Sequence, residues 1–353
     1  MEKYDLLIVG SGIVGSSLAF YSSKNNKKVL VVEKNFTGFN SSGNAQGGLA
    51  PYLGTDISTK KMHDNSYYLH KEFKKMFRNY TEINPNYDEK RLIHIIDSAE
   101  EKELLSNNFG YKINNDLNSI KNLEPKLKKI NHGVIIFDDY MEVDSFNLTN
   151  SLLSSSLNMG AKIITHDFKI ENLQFNKNKL ESFSTNDERF FIKNVAITAG
   201  PWTSEIAKNN DYINVKPLKG QLLKFKTSQD FNNSISWGKD YATKKKDDLL
   251  WIGTTEEDVK FSAGKTEEAK VKILNSFNEM FNGFDDLNLI DHTACFRPYS
   301  ENNIPVIKKS DKLANIFYGS GAGRNGIKLG PGMGEKLYQE IFNWIKFVLN
   351  LEK

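Results

Sequence analysis

The chain has 353 residues, with 47 Lys and Arg against 44 Asp and Glu and a formal net charge of +3. That length predicts about two domains, and the near-cancellation of charge argues against a dedicated nucleic-acid binder, whose affinity rests on a basic excess. Hydrophobic content of 39 % with 26 % charged residues excludes a disordered chain, and the single cysteine, Cys295, excludes a disulfide framework or a multi-cysteine metal site.

The opening residues MEKYDLLIVG carry charges before a short apolar run. Neither a secretory signal nor a membrane span of ~18 apolar residues is read, so a cytoplasmic protein is expected. Leu6 to Val9 is a wholly apolar strand of the kind buried on both faces of a parallel sheet. A glycine turn follows, then a helix from about Ile13 to Lys24, then a second strand over Val29 to Val32 closed by Glu33. Helical spacing is expected over 58–78, 99–109 and 145–158. From 161 to 198 the pattern becomes short strands at Ile163-Ile164, Phe168-Ile170, Leu180-Phe183, Phe190-Ile192 and Val195-Ile197. Further strands are expected at Leu222-Phe225 and Leu249-Ile252, then a helix at 267–281. The last block holds strands near Ile304-Ile307 and Ile316-Tyr318, a glycine-dense loop, and a long helix from about Gly326 to Leu349. The apolar residues of that helix (Leu337, Ile341, Phe342, Trp344, Ile345, Val348, Leu349) are expected to pack inside the protein rather than against a membrane. A lysine run at Lys244-Lys245-Lys246 reads as solvated surface.

Two segments carry chemistry. Gly10-x-Gly12-x-x-Gly15 lies between the first strand and the first helix. Its glycines permit the tight turn, the close approach of backbone to a pyrophosphate, and helix–strand packing. The helix N-terminus offers amides and a positive dipole end to that anion. Glu33 stands 18 residues after Gly15, where a carboxylate accepts hydrogen bonds from a ribose diol. The ligand is an adenine dinucleotide, with NAD and FAD both open at this point. The second segment, Gly319-Ser320-Gly321-Ala322-Gly323-Arg324-Asn325-Gly326-Ile327-Lys328, discriminates between them. A second helix N-terminus with Arg324 and Lys328 suits the negative charge of a reduced flavin. The histidines show no HxxxH or HExxH spacing, and no metal site is expected.

Several segments in order carry a family resemblance: GSGIVGSSLAF with VVEK, SSGNAQGGLAP, MEVDSFNLTNSLLSSSLNMGAKI, VAITAGPWTSEI, PLKGQLL, LLWIGTT, FRPYSENNIPVI and GSGAGRNGIKLGP. The chain resembles the FAD-dependent amine and amino-acid oxidoreductases of the glycine oxidase, D-amino-acid oxidase and sarcosine oxidase family. The least similar stretch is about 55–130. The resemblance implies an α/β protein with a Rossmann-type FAD-binding domain from 1–50, 145–210 and 300–353. A sheet-based substrate domain would come from 51–144 and 211–299. It further implies oxidation of the C–N bond of a small amine bearing a carboxylate, with oxygen or another electron acceptor.

Residue by residue, Arg297 matches the arginine that binds the substrate carboxylate in glycine oxidase, a role that suits a guanidinium fork. Tyr241, twelve residues before Gly253, stands where the family places a tyrosine reaching the same carboxylate. Arg324 matches a second glycine oxidase arginine. Lys328 departs from glycine oxidase but matches a carboxylate-binding lysine of sarcosine oxidase. The implied cofactor contacts are Gly10, Gly12, Ile13, Val14 and Gly15; Glu33 and Lys34; Ser41, Ser42, Gln46, Gly47, Gly48 and Leu49; and Lys169. They continue with Ala199, Gly200, Trp202 and Arg297, then Gly321, Ala322, Arg324, Asn325, Gly326, Ile327 and Lys328. Cys295 falls where sarcosine oxidase has the cysteine bonded to its flavin; most relatives lack that bond, so a non-covalent FAD is expected. The segment 42–51 is also similar to the oxidase domain of a tRNA-modifying enzyme that acts on a carboxymethylaminomethyl base. An amino-acid dehydrogenase with a non-oxygen acceptor is the other alternative.

Overall fold

The computed structural model describes residues 2–51, 59–176 and 179–351, with side-chain surroundings for all of these except 179, 302 and 343–351. The side chains of Trp344, Ile345, Val348 and Leu349 and the expected helix start at 58 therefore lie outside the described residues. The molecule is α/β, with most of its strands in two large sheets.

The first sheet has six strands in the order Val306–Lys309, Ile316–Ser320, Val195–Ile197, Leu6–Val9, Val29–Glu33 and Lys162–Thr165. All neighbours are parallel except the outermost pair, Val306–Lys309 with Ile316–Ser320. Leu6, Leu7 and Ile8 are fully enclosed because helices or loops cover both faces, which is why the strand reads as an unbroken apolar run. Each such side chain contributes roughly 1.5–3 kcal/mol through burial. Helix Ile13–Lys24 packs between helix Ser145–Asn158 and the C-terminal helix Gly326–Leu351. Small residues on the first two allow close approach: Ser23 and Ser156 hydroxyls are 2.8 Å apart in the contact. Asp144 caps the second of these helices by accepting from Asn147 N at 2.9 Å.

The second sheet has seven strands, in the order Asn288–Tyr299, Lys216–Lys226, Leu250–Gly253, Asp240–Lys244, Ser234–Trp237, Leu92–Ile95 and Val134–Phe137. Its pairs are antiparallel except Ser234–Trp237 with Leu92–Ile95. Helix Glu267–Met280 covers one face through Ile273 and Phe277. A four-stranded and a three-stranded sheet complete the fold.

Three details differ from expectation. Phe168-Ile170 is not a strand: Phe168 turns inward to the core and the chain enters a 3-10 turn at Ile170–Asn172. The strand expected from Ile304 begins at Val306, after a 3-10 turn over Glu301–Asn303. The long strand Asn288–Tyr299, which carries Cys295 and Arg297, had no alternating signal, because polar and apolar residues are mixed along NLIDHTACFRPY. Among the described residues, no helix is long and apolar enough to cross a membrane.

Candidate active site

One large cavity of about 1250 Å³ runs from the C-terminal ends of the parallel strands to the face of the seven-stranded sheet. Ordinary small-ligand pockets occupy roughly 300–1,000 Å³, so there is room for a dinucleotide and a small substrate together.

At one end the glycine turn is built by close approach. A Cβ on Gly15 would stand 1.9 Å from the Gly10 carbonyl oxygen, and one on Gly10, whose φ is +95°, would stand 2.8 Å from Thr198 O. The helix opens at Gly12 with no cap from that residue's side chain, leaving the first-turn amides beyond Ile13 for a ligand anion. Ser42 Oγ accepts from Ile13 N at 3.0 Å and so ties the segment Ser41–Asn44 to that turn. Glu33 accepts from Ser11 N at 2.8 Å and Asn35 N at 3.0 Å, which fixes its carboxylate at the end of the strand and at the cavity wall.

A second helix N-terminus meets the first. Gly321 (φ +83°) and Gly323 (φ +51°) turn the chain, and around Gly326 nothing stands within 4 Å of where a Cβ would be. Pro331 has no amide hydrogen for the carbonyl of Ile327, four residues back. That carbonyl is instead paired with His70 Nε2 at 3.1 Å, from helix Lys60–Met76. The same nitrogen reaches Lys328 O at 3.1 Å, Ser66 Oγ donates to Lys328 O at 2.6 Å, and Gly332 N donates to Ser66 Oγ at 2.9 Å. The open first turn is thus stitched from a neighbouring helix. Burial holds the pKa of His70 down at about 4.

Across the cavity, the seven-stranded sheet uses two glycines as floor. Gly220 pairs with Cys295 across the strands, and the Arg297 guanidinium lies over it: a Cβ on Gly220 would be 2.3 Å from Arg297 Cζ. Arg297 donates through Nη1 to Thr255 O at 2.9 Å and through Nη2 to Thr254 Oγ1 at 2.6 Å. Tyr241 pairs with Gly253, and its ring occupies the space a Cβ there would need. Burial raises the Tyr241 pKa, so the phenol stays protonated and able to donate. Arg324 donates to Lys239 O at 2.8 Å and faces Glu256 at 3.9 Å; its pKa is lowered by burial and by the neighbouring Arg297. Cys295 lines the cavity on the same sheet face as Arg297, and burial pushes its thiol pKa up. Lys328 is 6 % exposed and donates to Ala50 O at 3.1 Å; burial brings its pKa down to about 7.

The cavity therefore brings together Gly10, Gly12, Ile13, Val14, Glu33, Lys34, Ser41, Ser42, Gln46, Gly47, Gly48, Lys169, Ala199, Gly200 and Trp202. The same wall continues through Tyr241, Arg297, Gly321, Ala322, Arg324, Asn325, Gly326, Ile327 and Lys328. It does not bring in Gly15, which serves packing behind the turn, or Leu49, which is fully buried against Phe20-side aromatics and Met141. Sequence reasoning missed Thr254 and Thr255, Gly220, and Asn40, whose side chain clasps the Phe296 backbone at 2.8 and 3.0 Å. The first three stand inside GTT and KGQ, segments already singled out; Asn40 carried no signal. Also missed was the buried Glu142, which accepts from Gln46 Nε2 at 2.7 Å and Tyr140 OH at 2.9 Å and pairs with Lys90 at 3.1 Å. Lys245 beside it, far from being solvated surface, is half-buried and donates to Val143 O at 2.9 Å. No group of three or more metal-ligating side chains occurs among the described residues.

A glycine-turn nucleotide cleft joined to a cation-lined pocket on a separate sheet is the arrangement of a dinucleotide-dependent oxidoreductase. The chain belongs to the FAD dependent oxidoreductase family, whose model matches residues 5–340. Glycine oxidase of Pseudomonas putida is 22 % identical over 92 % of this chain and 91 % of its own length. D-amino acid dehydrogenase of Helicobacter pylori (strain J99) is 21 % identical over 94 % of this chain and 93 % of its own. In fold, the crystal structure of glycine oxidase from Bacillus cereus superimposes with a TM-score of 0.86 at 22 % identity, covering 97 % of this chain and 95 % of that one. FAD is the cofactor of the family, and the uncapped glycine turn, Glu33 and the open space at Gly326 fit it.

Proposed function

We propose that this flavoprotein oxidises the C–N bond of a small amino acid or secondary amine bearing a carboxylate, as the names of its relatives suggest. The FAD domain would comprise 1–50, 145–210 and 300–353, and the substrate domain 51–144 and 211–299. The observation that carries the reading is Arg297: its guanidinium, pinned by Thr254 and Thr255, turns into the flavin cavity with no carboxylate in ion-pair distance among the described residues.

Arg297 binds the substrate carboxylate through its fork, and the protonated Tyr241 hydroxyl donates to the same group. Arg324 adds positive potential behind them. With one end anchored, the amine-bearing carbon is turned toward the flavin, and positioning of this kind supplies much of the rate. Bound FAD supplies the two-electron acceptor for the hydride leaving that carbon. The resulting imine takes up water to give an oxo acid and an amine or ammonia. Oxygen, or another acceptor such as a quinone, then reoxidises the enzyme.

The test is an anaerobic screen of glycine, sarcosine, D-amino acids and L-proline against the purified yellow protein. Bleaching of the flavin absorbance by one of these supports the reading; no bleaching by any of them counts against it.

A further inference from the structure

The sheet face that carries Arg297 and Tyr241 continues past them. Ser236 stands directly opposite Tyr241 across the strands, and His94 directly opposite Ser236, so the three side chains rise from one face. The Tyr241 ring lies over Gly253, on the strand away from Ser236, with its hydroxyl 2.7 Å from where a Cβ there would be. Arg297 lies one strand further, over Gly220. Tyr241 thus leans toward the arginine and leaves Ser236 on the cavity wall, together with His94 and Glu101. Two strand spacings separate Gly253 from Ser236, about 10 Å.

Ser236, His94 and Glu101 form a hydrogen-bonded chain. Ser236 Oγ and His94 Nδ1 are 2.8 Å apart, and His94 Nε2 and Glu101 Oε1 are 3.1 Å apart. The second Glu101 oxygen accepts from Asp97 N at 2.8 Å. The bond from His94 holds the Glu101 carboxyl below its ordinary range, and an ionised carboxylate only accepts. Nε2 therefore carries a proton toward Glu101, and in the neutral ring Nδ1 is left as an acceptor. The Ser236 hydroxyl uses its one hydrogen on Nδ1, so it offers the cavity lone pairs alone.

The charge behind that hydroxyl is negative. Among the described residues no lysine or arginine pairs with Glu101, whose ion-pair partner is His94. Asp97 stands close enough to sense both. Lys239, on the neighbouring turn, is directed instead to Glu256 at 2.6 Å, and Asp240 accepts from Thr254 N at 2.9 Å and Ser276 Oγ at 2.6 Å. Ser234, the next residue on the same face, is taken up by Glu142 and by Thr243 at 2.7 Å.

We propose that this chain of residues is a subsite for a cationic donor: the substrate is an amino acid whose side chain ends in an ammonium group. Its carboxylate lies on Arg297 and Tyr241 and its ammonium on Ser236, with His94 and Glu101 orienting the hydroxyl and supplying the countercharge. This rests on the proposed amine oxidation at the same site. With a hydrogen bond of about 2.8 Å at each end, the span leaves about 4–7 Å between carboxylate and ammonium, the reach of a side chain of roughly two to four methylene groups. A side chain ending in a methyl group leaves the serine oxygen and the carboxylate behind it without a donor, which penalises it.

The test measures binding without turnover. The FAD-loaded enzyme is titrated with 5-aminopentanoate and with hexanoate, in which a methyl group replaces the ammonium, reading the perturbation of the flavin spectrum. We expect the ammonium ligand to bind roughly tenfold more tightly or better, the worth of one hydrogen bond to a charged group. In Ser236→Ala and in Glu101→Gln that ratio should fall toward one through loss of affinity for 5-aminopentanoate. Equal binding of the two ligands to wild type, or a preference that survives Ser236→Ala unchanged, overturns the proposal. Flavin reduction by ornithine against norleucine of the same hand is measured in parallel. Reduction by both with no preference for ornithine sinks the subsite and leaves the oxidation reading standing. If no amine reduces the flavin yet 5-aminopentanoate is preferred through Ser236, the oxidation reading fails and the subsite stands.

Discussion

Gly220→Ala is the most demanding perturbation of the carboxylate anchor, because it replaces no side chain that would itself bind substrate. The added Cβ would stand 2.3 Å from Arg297 Cζ and Nη2 and 2.5 Å from Nη1, where ordinary contact begins at 3.4 Å. The strand backbone at 220 has no left-handed φ and accommodates alanine, so the guanidinium must give way by about 1 Å. Such a shift breaks its bonds to Thr255 O and Thr254 Oγ1 and misaligns the fork. A hydrogen bond to a charged group is worth about 1.5–3 kcal/mol. Loss of an aligned pair at about 3 kcal/mol corresponds to roughly 150-fold in kcat/KM, and ~1 Å misplacements carry a similar ~100-fold cost. The assay is anaerobic flavin reduction by the best amine of the screen, in wild type, Gly220→Ala, Arg297→Ala and the double variant. We expect a loss near two orders of magnitude for Gly220→Ala and almost no further loss when Arg297 is already absent. Equal damage in both backgrounds would refute the idea that Gly220 acts through the arginine.

Other outcomes follow from the same geometry. His70→Ala leaves the Ile327 carbonyl and Tyr87 hydroxyl without their shared partner and should lower stability by about 2–4 kcal/mol, read by thermal unfolding; an unchanged melting temperature contradicts the stitching role. His63 and His70 are held neutral in the fold, down at about 3 and about 4, against 6.5 for the free side chain. The unfolded chain therefore binds more protons below pH 6.5, and the stability these residues protect is lost as pH falls through that window. Replacing both with glutamine should flatten the acid limb of a stability–pH profile; an identical limb excludes them as its cause. Lys328 acts in the same direction at higher pH: its pKa is about 7 folded and 10.5 free, so unliganded stability should rise from pH 7 toward 10. Lys328→Met should remove that rise, as checked by denaturant titration across pH. The Cys295 thiol is kept protonated by burial, which disfavours the thiolate needed to bond a flavin; intact mass after acid denaturation should equal the bare polypeptide, and an added flavin mass would contradict this.

Much of the parallel sheet was legible because its strands are buried on both faces and appear as runs such as Leu6–Val9. The glycine turn was legible for the same reason that it works, since Gly15 has no room for a side chain. Arg297 and Tyr241 were singled out from resemblance, and Arg324 and Lys328 first from the glycine-dense segment that opens the last helix; all four line one cavity. Their convergence depends on pairings between strands distant in sequence, such as Gly220 with Cys295 and Tyr241 with Gly253. What escaped was the support. Thr254 and Thr255 hold Arg297 through one backbone and one side-chain oxygen, and His70 repairs a helix turn that Pro331 opens. Lys245 looked like surface because its neighbours in sequence are charged, whereas its neighbours in space are Glu142 and the Gln46 loop. Such roles are set by tertiary contact, which local pattern does not encode.

The most direct measurement is the concentration dependence of anaerobic flavin reduction in wild type and Arg297→Ala with the amine that bleaches wild type. We expect half-saturation to rise by about two orders of magnitude while FAD stays bound, matching loss of a bidentate charge-assisted contact. An Arg297→Ala enzyme that keeps its FAD and half-saturates at the wild-type concentration contradicts the placement of the carboxylate, and with it the proposed reaction.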